Sequence, residues 1–136
     1  MLNHVVIMGR LTRDPELRRT GSGVAVTSFT VAVERDIANK DGERETDFFD
    51  CVAWRGTGEF VAKHFRKGQM IVVEGSLQVR NWTDKDGNKR RNTEINADAC
   101  YFGDSKKDAP SESPAQNNTP ASDYEKLEDE DAQLPF

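Results

Sequence analysis

Residues 46–68 read TDFFDCVAWRGTGEFVAKHFRKG, and within this segment the hydrophobic pattern changes from that of a strand to that of a helix. Residues 46–54 alternate with the period of two that a half-buried strand requires. Residues 57–67 carry one apolar stripe, end in basic side chains and are followed by Gly68, which predicts a helix capped by that glycine. The segment therefore predicts a strand that leads directly into the chain's one helix.

Strand patterns flank this segment on both sides, two before it and two after it. Asp-Gly pairs at residues 41–42 and 86–87 supply the positive φ that tight hairpin tips need. The five predicted strands cover residues 2–11, 24–35, 46–54, 70–82 and 91–102. Three strands, one helix and two strands is the order of an all-β, five-stranded Greek-key barrel, the OB-fold, with its helix between strands three and four.

The last quarter of the chain differs in composition from the rest. Residues 105–122 contain no large apolar side chain, so we predict that this stretch is too polar to fold. We divide the chain into an OB-fold domain (1–104), a disordered linker (105–127) and an acidic C-terminal tip (128–136).

The net charge of −5 belongs entirely to this tail. Residues 106–136 carry 3 basic and 8 acidic side chains, whereas residues 1–105 carry 16 of each. A neutral domain can bind a polyanion only if its basic residues gather on one face.

Enzymatic and metal-dependent functions find no support in the sequence. His4 and His64 lack partners at metal-ligand spacing, and residues 21–23 are too short for a phosphate-binding loop. We therefore expect no catalysis, no cofactor and no metal. Cys51 and Cys100 are expected to be buried, reduced thiols. Without a signal peptide or a long apolar run, the expected location is the cytoplasm.

Aromatic residues on the polar side of the predicted strands suggest a binding surface. Period two places Phe48 and Trp54 opposite the apolar core positions, and Trp82 lies among polar residues beside the second hairpin tip. Exposed rings near basic side chains suit single-stranded nucleic acid, because each unstacked base offers a π-face. The pattern alone leaves open that these rings pack a barrel seam or an oligomer interface.

The C-terminal tip combines acidic and apolar residues. A tethered acidic block followed by an apolar end favours docking into basic, apolar pockets of other proteins over a purely solubilising role. The residues assigned to this contact are Asp129, Glu130, Asp131, Leu134, Pro135 and Phe136.

Several stretches of the chain resemble the bacterial single-stranded-DNA-binding proteins (SSB), in particular the short type of low-GC Gram-positive bacteria and their phages. The resemblance covers residues 1–104 and the extreme C-terminus. It rests on residues 1–18 (MLNHVVIMGRLTRDPELR), 29–33 (FTVAV), 47–48 (DF), 52–55 (VAWR), 66–68 (RKG), 73–75 (VEG) and 80–82 (RNW).

This resemblance implies a homotetramer that binds and protects single-stranded DNA in replication, recombination and repair, close to the nucleoid. It implies that the tip recruits partner enzymes of these processes. The implied stacking positions are Phe48, Trp54, Trp82 and Ile37, and the implied phosphate contacts are Arg55, Lys67, Arg80 and Arg90. We add Arg10 and Arg35 to the phosphate contacts because they are basic and lie at predicted strand ends.

Three residues or pairs depart from the family pattern. Ile37 stands where the family usually has an aromatic residue, which weakens one stacking position. Asp50 lies between Phe48 and Trp54 and opposes phosphate binding there. The pair at residues 132–133, Ala-Gln, separates the acidic run from the apolar end of the tip.

Two other functions remain open from the sequence. One is an adaptor in which the barrel is mainly a scaffold and the tail does the binding. The other is an OB-fold protein that prefers RNA. Loss of function on deleting residues 128–136, but not on replacing Trp54 and Trp82, would favour the adaptor.

Overall fold

The computed structural model describes residues 1–104. Its one helix lies between the fourth and fifth strands in chain order. The elements are β1 (Val5–Leu11), β2 (Glu16–Arg19), β3 (Ala25–Ala38), β4 (Arg44–Trp54), α1 (Arg55–His64), β5 (Met70–Thr83) and β6 (Lys89–Phe102).

Five of these strands close into a barrel. Along the sheet the order is β1-β5-β6-β4-β3, and β1 also pairs with β3, which closes the ring. Strands β4 and β6 run parallel, while the other pairs are antiparallel. A closed five-stranded barrel with one helix after its third strand is the OB-fold, as the sequence predicted.

The core fills the barrel with alternate residues of each strand. Thr27, a buried polar residue, donates its hydroxyl to Gly58 O at 2.7 Å and so ties α1 to β3. A side chain at Gly58 would place its Cβ 2.5 Å from Ala53 O, so this close approach of helix and strand requires glycine. The fully buried large side chains are Leu11, Phe29, Val31, Val61, Phe65, Ile71, Val73 and Ile95.

Two sequence-based element assignments were wrong in detail. The short strand β2 was missed because its four exposed residues, ELRR, have no apolar alternation and form a strand only by pairing with β3. The helix spans residues 55–64 and not 57–67, since Phe65 turns extended (φ −116°, ψ 146°) to reach the core. Gly68 (φ +86°) lies in the following turn, where its N–H donates to Leu11 O and not to the helix.

The predicted disordered linker and acidic tip lie outside the described residues. Within residues 1–104, no helix has both the length and the apolar character needed to cross a membrane.

Candidate nucleic-acid interface

The alternation predicted for β4 is present in the structure. Cys51 and Ala53 point into the core, whereas Phe48 and Trp54 keep 65% and 41% of their surface exposed. Asp50 also points outward, where its carboxylate accepts a hydrogen bond from the Thr30 hydroxyl at 3.0 Å. The two aromatic rings and the opposing carboxylate therefore share the outside of the barrel.

Strand register brings Trp82 to the same side. Val52 pairs with Asn96 of β6, and Asn96 pairs with Ser76 of β5. The pairing of β5 with β6 then continues without a register shift from Ser76 to Trp82. Because side chains alternate along each strand, even-numbered residues of β4, β5 and β6 here share one face. We call this surface, which carries Phe48, Trp54, Arg80, Trp82 and Arg90, the outer face.

The hairpin arm formed by residues 76–94 of β5 and β6 is basic. An open cleft of about 430 Å³ lies against its tip. Arg80 pairs with Glu94 and Arg90 with Asp84, both at 2.9 Å. The cleft is lined by Asn81, Trp82, Thr83, Lys89, Arg90 and Arg91.

The tip of this arm is organised by one carboxylate. Asp84 Oδ1 accepts the backbone N–H groups of Asp86 and Asn88, and its Oδ2 accepts from Arg90 Nε at 2.9 Å. These bonds, the Asn88 N–H first, lower the pKa of Asp84 below its ordinary value of 3.8.

The other arm, residues 34–47 of β3 and β4, is acidic. Ile37 is 84% exposed there. Arg35 donates to Asp47 at 2.9 and 3.0 Å and to Glu45 at 2.7 Å, so two carboxylates hold its guanidinium. The bond from Arg35 lowers the pKa of Asp47 and the same bond raises that of Arg35. The structure therefore places Arg35 in an intramolecular ion-pair cluster.

The remaining predicted phosphate contacts fall in two places. Arg55 follows Trp54 directly and is exposed, in a left-handed conformation (φ +55°). Arg10 and Lys67 instead meet at the turn after α1, where Arg10 Nη1 donates to Gly68 O at 3.0 Å. Within residues 1–104, neither Arg55 nor Lys67 has an ion-pair partner.

Comparison with known proteins identifies the family. A family model described as "Single-strand binding protein family" matches residues 2–102, about three quarters of the chain. The chain belongs to this family. The resemblance found in the sequence is thus confirmed, and both the family description and the relatives' names are those of DNA-binding proteins rather than enzymes.

Curated members of the single-strand binding protein family from Gram-positive bacteria are similar over the whole barrel. Single-stranded DNA-binding protein 3 of Listeria innocua is 45% identical over 124 residues, which is 91% of this chain and 78% of that protein. Single-stranded DNA-binding protein 2 of Listeria monocytogenes is 50% identical over 102 residues, 75% and 64% of the two chains. Single-stranded DNA-binding protein A of Bacillus subtilis is 49% identical over 102 residues, 75% and 59%. The match thus covers about three fifths of the length of the Listeria monocytogenes and Bacillus subtilis proteins.

The site assignment made from the sequence left out some of the residues that line the cleft. Asn81, Thr83, Lys89 and Arg91 line it but were not among the assigned site residues. Their position next to Trp82 in the hairpin was the available signal, because Asn81 pairs with Arg91 and Trp82 pairs with Arg90 across β5 and β6.

The titratable residues of the described chain form no metal site. Within residues 1–104 no group of three or more His, Cys, Asp and Glu side chains could hold a metal ion. Cys51 and Cys100 are both free and buried, as predicted, and burial raises the pKa of each thiol to about 12. His4 lies 3.7 Å from Glu74, and His64 packs among aromatic rings.

Proposed function

We propose that this chain binds and protects single-stranded DNA without sequence preference and without catalysis. The observation that carries the proposal is the outer face, where Phe48, Trp54 and Trp82 are exposed on one surface. Bases stack on such rings at about 1–3 kcal/mol each, and the ring surfaces do not distinguish one base from another. Family membership and the names of the relatives support the same function.

Charge placement favours a path along the basic arm. The proposed phosphate contacts are Arg80 and Arg90 on the outer face and Arg55, which directly follows Trp54. Arg10 and Lys67 would contact a DNA strand that continues past α1. Arg35 is the weakest member of the predicted set, because a phosphate would have to displace two carboxylates from it. Ile37 offers apolar contact without an aromatic face.

We further propose self-association into a homotetramer through an apolar surface on β1, β5 and β6. Met8 pairs with Val72, and Val72 pairs with Tyr101, so the three side chains form one row across the barrel exterior. Met8, Tyr101 and the nearby Val6 are each more than half exposed. A contiguous apolar patch of this kind is typical of a protein interface. Sedimentation of the wild type and of a Tyr101→Asp variant tests this assignment.

The roles in replication, recombination and repair are proposals for the whole chain. We propose the division into a binding domain (1–104), a disordered linker (105–127) and an acidic tip (128–136) that recruits partner enzymes. The tip combines four consecutive acidic residues with Leu134 and Phe136, which suits basic, apolar pockets. Action on DNA in the cell places the protein in the cytoplasm, at the nucleoid.

The test is a fluorescence titration with poly(dT) at several salt concentrations. Both tryptophans lie on the outer face, so stacking is expected to quench their emission. The affinity should fall linearly on a log–log plot against salt. Unchanged emission at saturating poly(dT) and low salt would contradict the proposal, and preferential competition by poly(U) would identify RNA as the ligand instead.

A further inference from the structure

A second aromatic surface lies at the C-terminal end of α1, and the proposed function makes no use of it. The rings of Phe60, His64 and Phe102 meet there with centroid separations of 4.9 to 6.2 Å. We call these three residues the helix-end patch. Phe102 keeps 56% of its surface exposed although it lies next to the barrel core.

The ring of Phe102 packs against three aromatic rings and is still more than half exposed. Its register partner Ile71 is fully buried, so Phe102 closes the end of the barrel. One face of its ring stacks on buried Phe65, with centroids 4.7 Å apart and planes 20° apart. The rings of Phe60 and His64 meet the Phe102 ring at 69° and 83°, with centroids 5.7 and 6.2 Å away, and 56% of the Phe102 surface remains exposed. A flat ring fixed in this way can accept a base without losing side-chain entropy.

Basic side chains neighbour the helix-end patch, two of them along the chain and one through Asp104. Lys63 and Lys67 are exposed on either side of Phe65 in the sequence. Arg10 Nη1 lies 3.8 Å from the carboxylate of Asp104, which follows Phe102 by two residues and also accepts the Met70 N–H at 2.9 Å. Two residues predicted as phosphate contacts, Arg10 and Lys67, therefore lie here and not beside the tryptophans.

Resting on the proposed function, we infer that the helix-end patch is a second stacking site for the single strand. Phe102 would stack one base, and Arg10 and Lys67 would contact the flanking phosphates. The ten residues of α1 separate this patch from Trp54 by about 15 Å along the helix axis. A strand that leaves the outer face at Trp54 can follow the helix to reach it.

The surrounding charge favours nucleic acid over a protein as the occupant. Single exposed rings flanked by lysine and arginine complement a polyanion of stacked bases. The nearby carboxylates are already engaged, because Glu59 pairs with Arg19 at 3.5 Å, Asp104 pairs with Arg10, and Asp14 accepts the Lys67 backbone N–H at 2.8 Å. A basic, ring-bearing surface remains.

The experiment compares Phe102→Leu with wild type in the full chain, using dT oligomers of increasing length. Leucine keeps apolar packing on Phe65 but offers no π-face. We expect unchanged affinity for the shortest oligomers that bind and about a tenfold loss for long ones, within the range of one stacked base. Leu17→Ala, an exposed apolar residue on β2, is the matched neutral control, and Trp54→Leu is the positive control.

The outcomes separate this inference from the proposed function. Equal affinity of Phe102→Leu and wild type at every length would overturn the second site, provided that Trp54→Leu weakens binding. A change in oligomeric state with unchanged DNA affinity would also overturn it, because a second copy would then cover the patch. Failure of wild type to bind dT would count against the proposed function itself.

A measurement on the wild type keeps the test valid if the variant does not fold. Oligo(dT) carrying single 5-iodouracil substitutions is crosslinked to the full chain, and the modified peptides are identified by mass spectrometry. We expect crosslinks to Phe102 from positions near one end of a long oligomer. Crosslinks to Trp54 and Trp82 without any at Phe102 would refute the second site.

Discussion

The two hairpin arms share their turn chemistry and differ in charge. Asn39 at one tip and Asp84 at the other each accept two backbone N–H groups through Oδ1. Each tip then closes on a glycine with positive φ, Gly42 at +79° and Gly87 at +81°. The shared turn therefore cannot explain why only one arm suits DNA.

The difference lies in the side chains that the arms carry. Residues 34–47 contain 3 basic and 6 acidic residues, a net of −3, whereas residues 76–94 contain 5 basic and 3 acidic ones, a net of +2. On the acidic arm the exposed large apolar residue is Ile37, whereas the basic arm exposes Leu77, Val79 and the aromatic Trp82. The comparison teaches that one backbone device, used twice in a barrel, can present one attractive and one repulsive surface to a polyanion.

Replacing Trp82 of the basic arm and Ile37 of the acidic arm should give the largest difference in DNA affinity between two variants. Trp82→Ala removes a stacking face and is expected to weaken dT binding on the order of ten- to a hundredfold. Ile37→Ala removes no π-face and should change affinity less than about threefold. Titration with dT oligomers, followed through Trp54 fluorescence, measures both. Comparable losses in the two variants would mean that the arms contribute alike.

Reversing two charges on the acidic arm should remove the difference in charge sign between the two arms. Glu45→Lys together with Asp47→Lys changes the net charge of residues 34–47 from −3 to +1 and frees Arg35. We expect several-fold tighter binding at low salt and a steeper salt dependence, by about 0.7 in log–log slope for each new phosphate contact. Glu16→Lys together with Glu59→Lys, on β2 and α1 and outside both arms, adds the same four charges and is the control for net charge. A slope equal to that of the control would contradict a role for arm charge.

Replacing a single arginine on each arm should have a smaller effect, which shows in the salt dependence of DNA affinity. Arg91 lines the cleft without an ion-pair partner in residues 1–104, whereas Arg35 is held by two carboxylates. Arg91→Ala should lower the log–log salt slope by about 0.7, and Arg35→Ala should leave it unchanged. The measurement is affinity at four or more salt concentrations. If Arg35→Ala lowers the slope equally, phosphate displaces Asp47 and Glu45 from Arg35.

At low pH, protonation of Asp84 should weaken the hydrogen bonds that hold the tip of the basic arm together. Because the folded state lowers the pKa of this carboxyl, its stabilising bonds are complete above the ordinary value of 3.8 and are lost as pH falls through the lowered value. The Asn88 amide resonance should therefore shift with a midpoint below pH 3.8. In Asp84→Asn, whose amide oxygen still accepts but does not titrate, that transition should be absent. A midpoint above 3.8 in wild type would contradict the assignment.

Much of the fold could be predicted from local pattern, and the failures have local causes. Alternation in residues 46–54 predicted the buried side of β4, because the period of two is a property of any strand. The sequence did not reveal β2, since its exposed residues carry no hydrophobic pattern. It also extended the helix through Phe65, which continues the apolar stripe but leaves helical geometry to enter the core.

The candidate site shows the same limit over longer distances. Trp54 and Trp82 were recognised as exposed rings, yet 28 residues separate them, and only the registers of β4 with β6 and of β6 with β5 place them on one face. The sequence listed Arg35 with the phosphate contacts because nothing local shows that Glu45 and Asp47 lie across the strand pair from it.

The sequence by itself determined the order of the five barrel strands and the helix, the inward and outward sides of β4, the exposure of Phe48, Trp54 and Trp82, and the family. These follow from periodicity and residue type, which act over a few neighbouring residues. Only the tertiary structure decided which arginines are already paired, which aromatic residues share a face, and that Phe102 stays more than half exposed beside Phe65. Those properties depend on strand register and barrel closure, which bring together side chains that are distant in the chain.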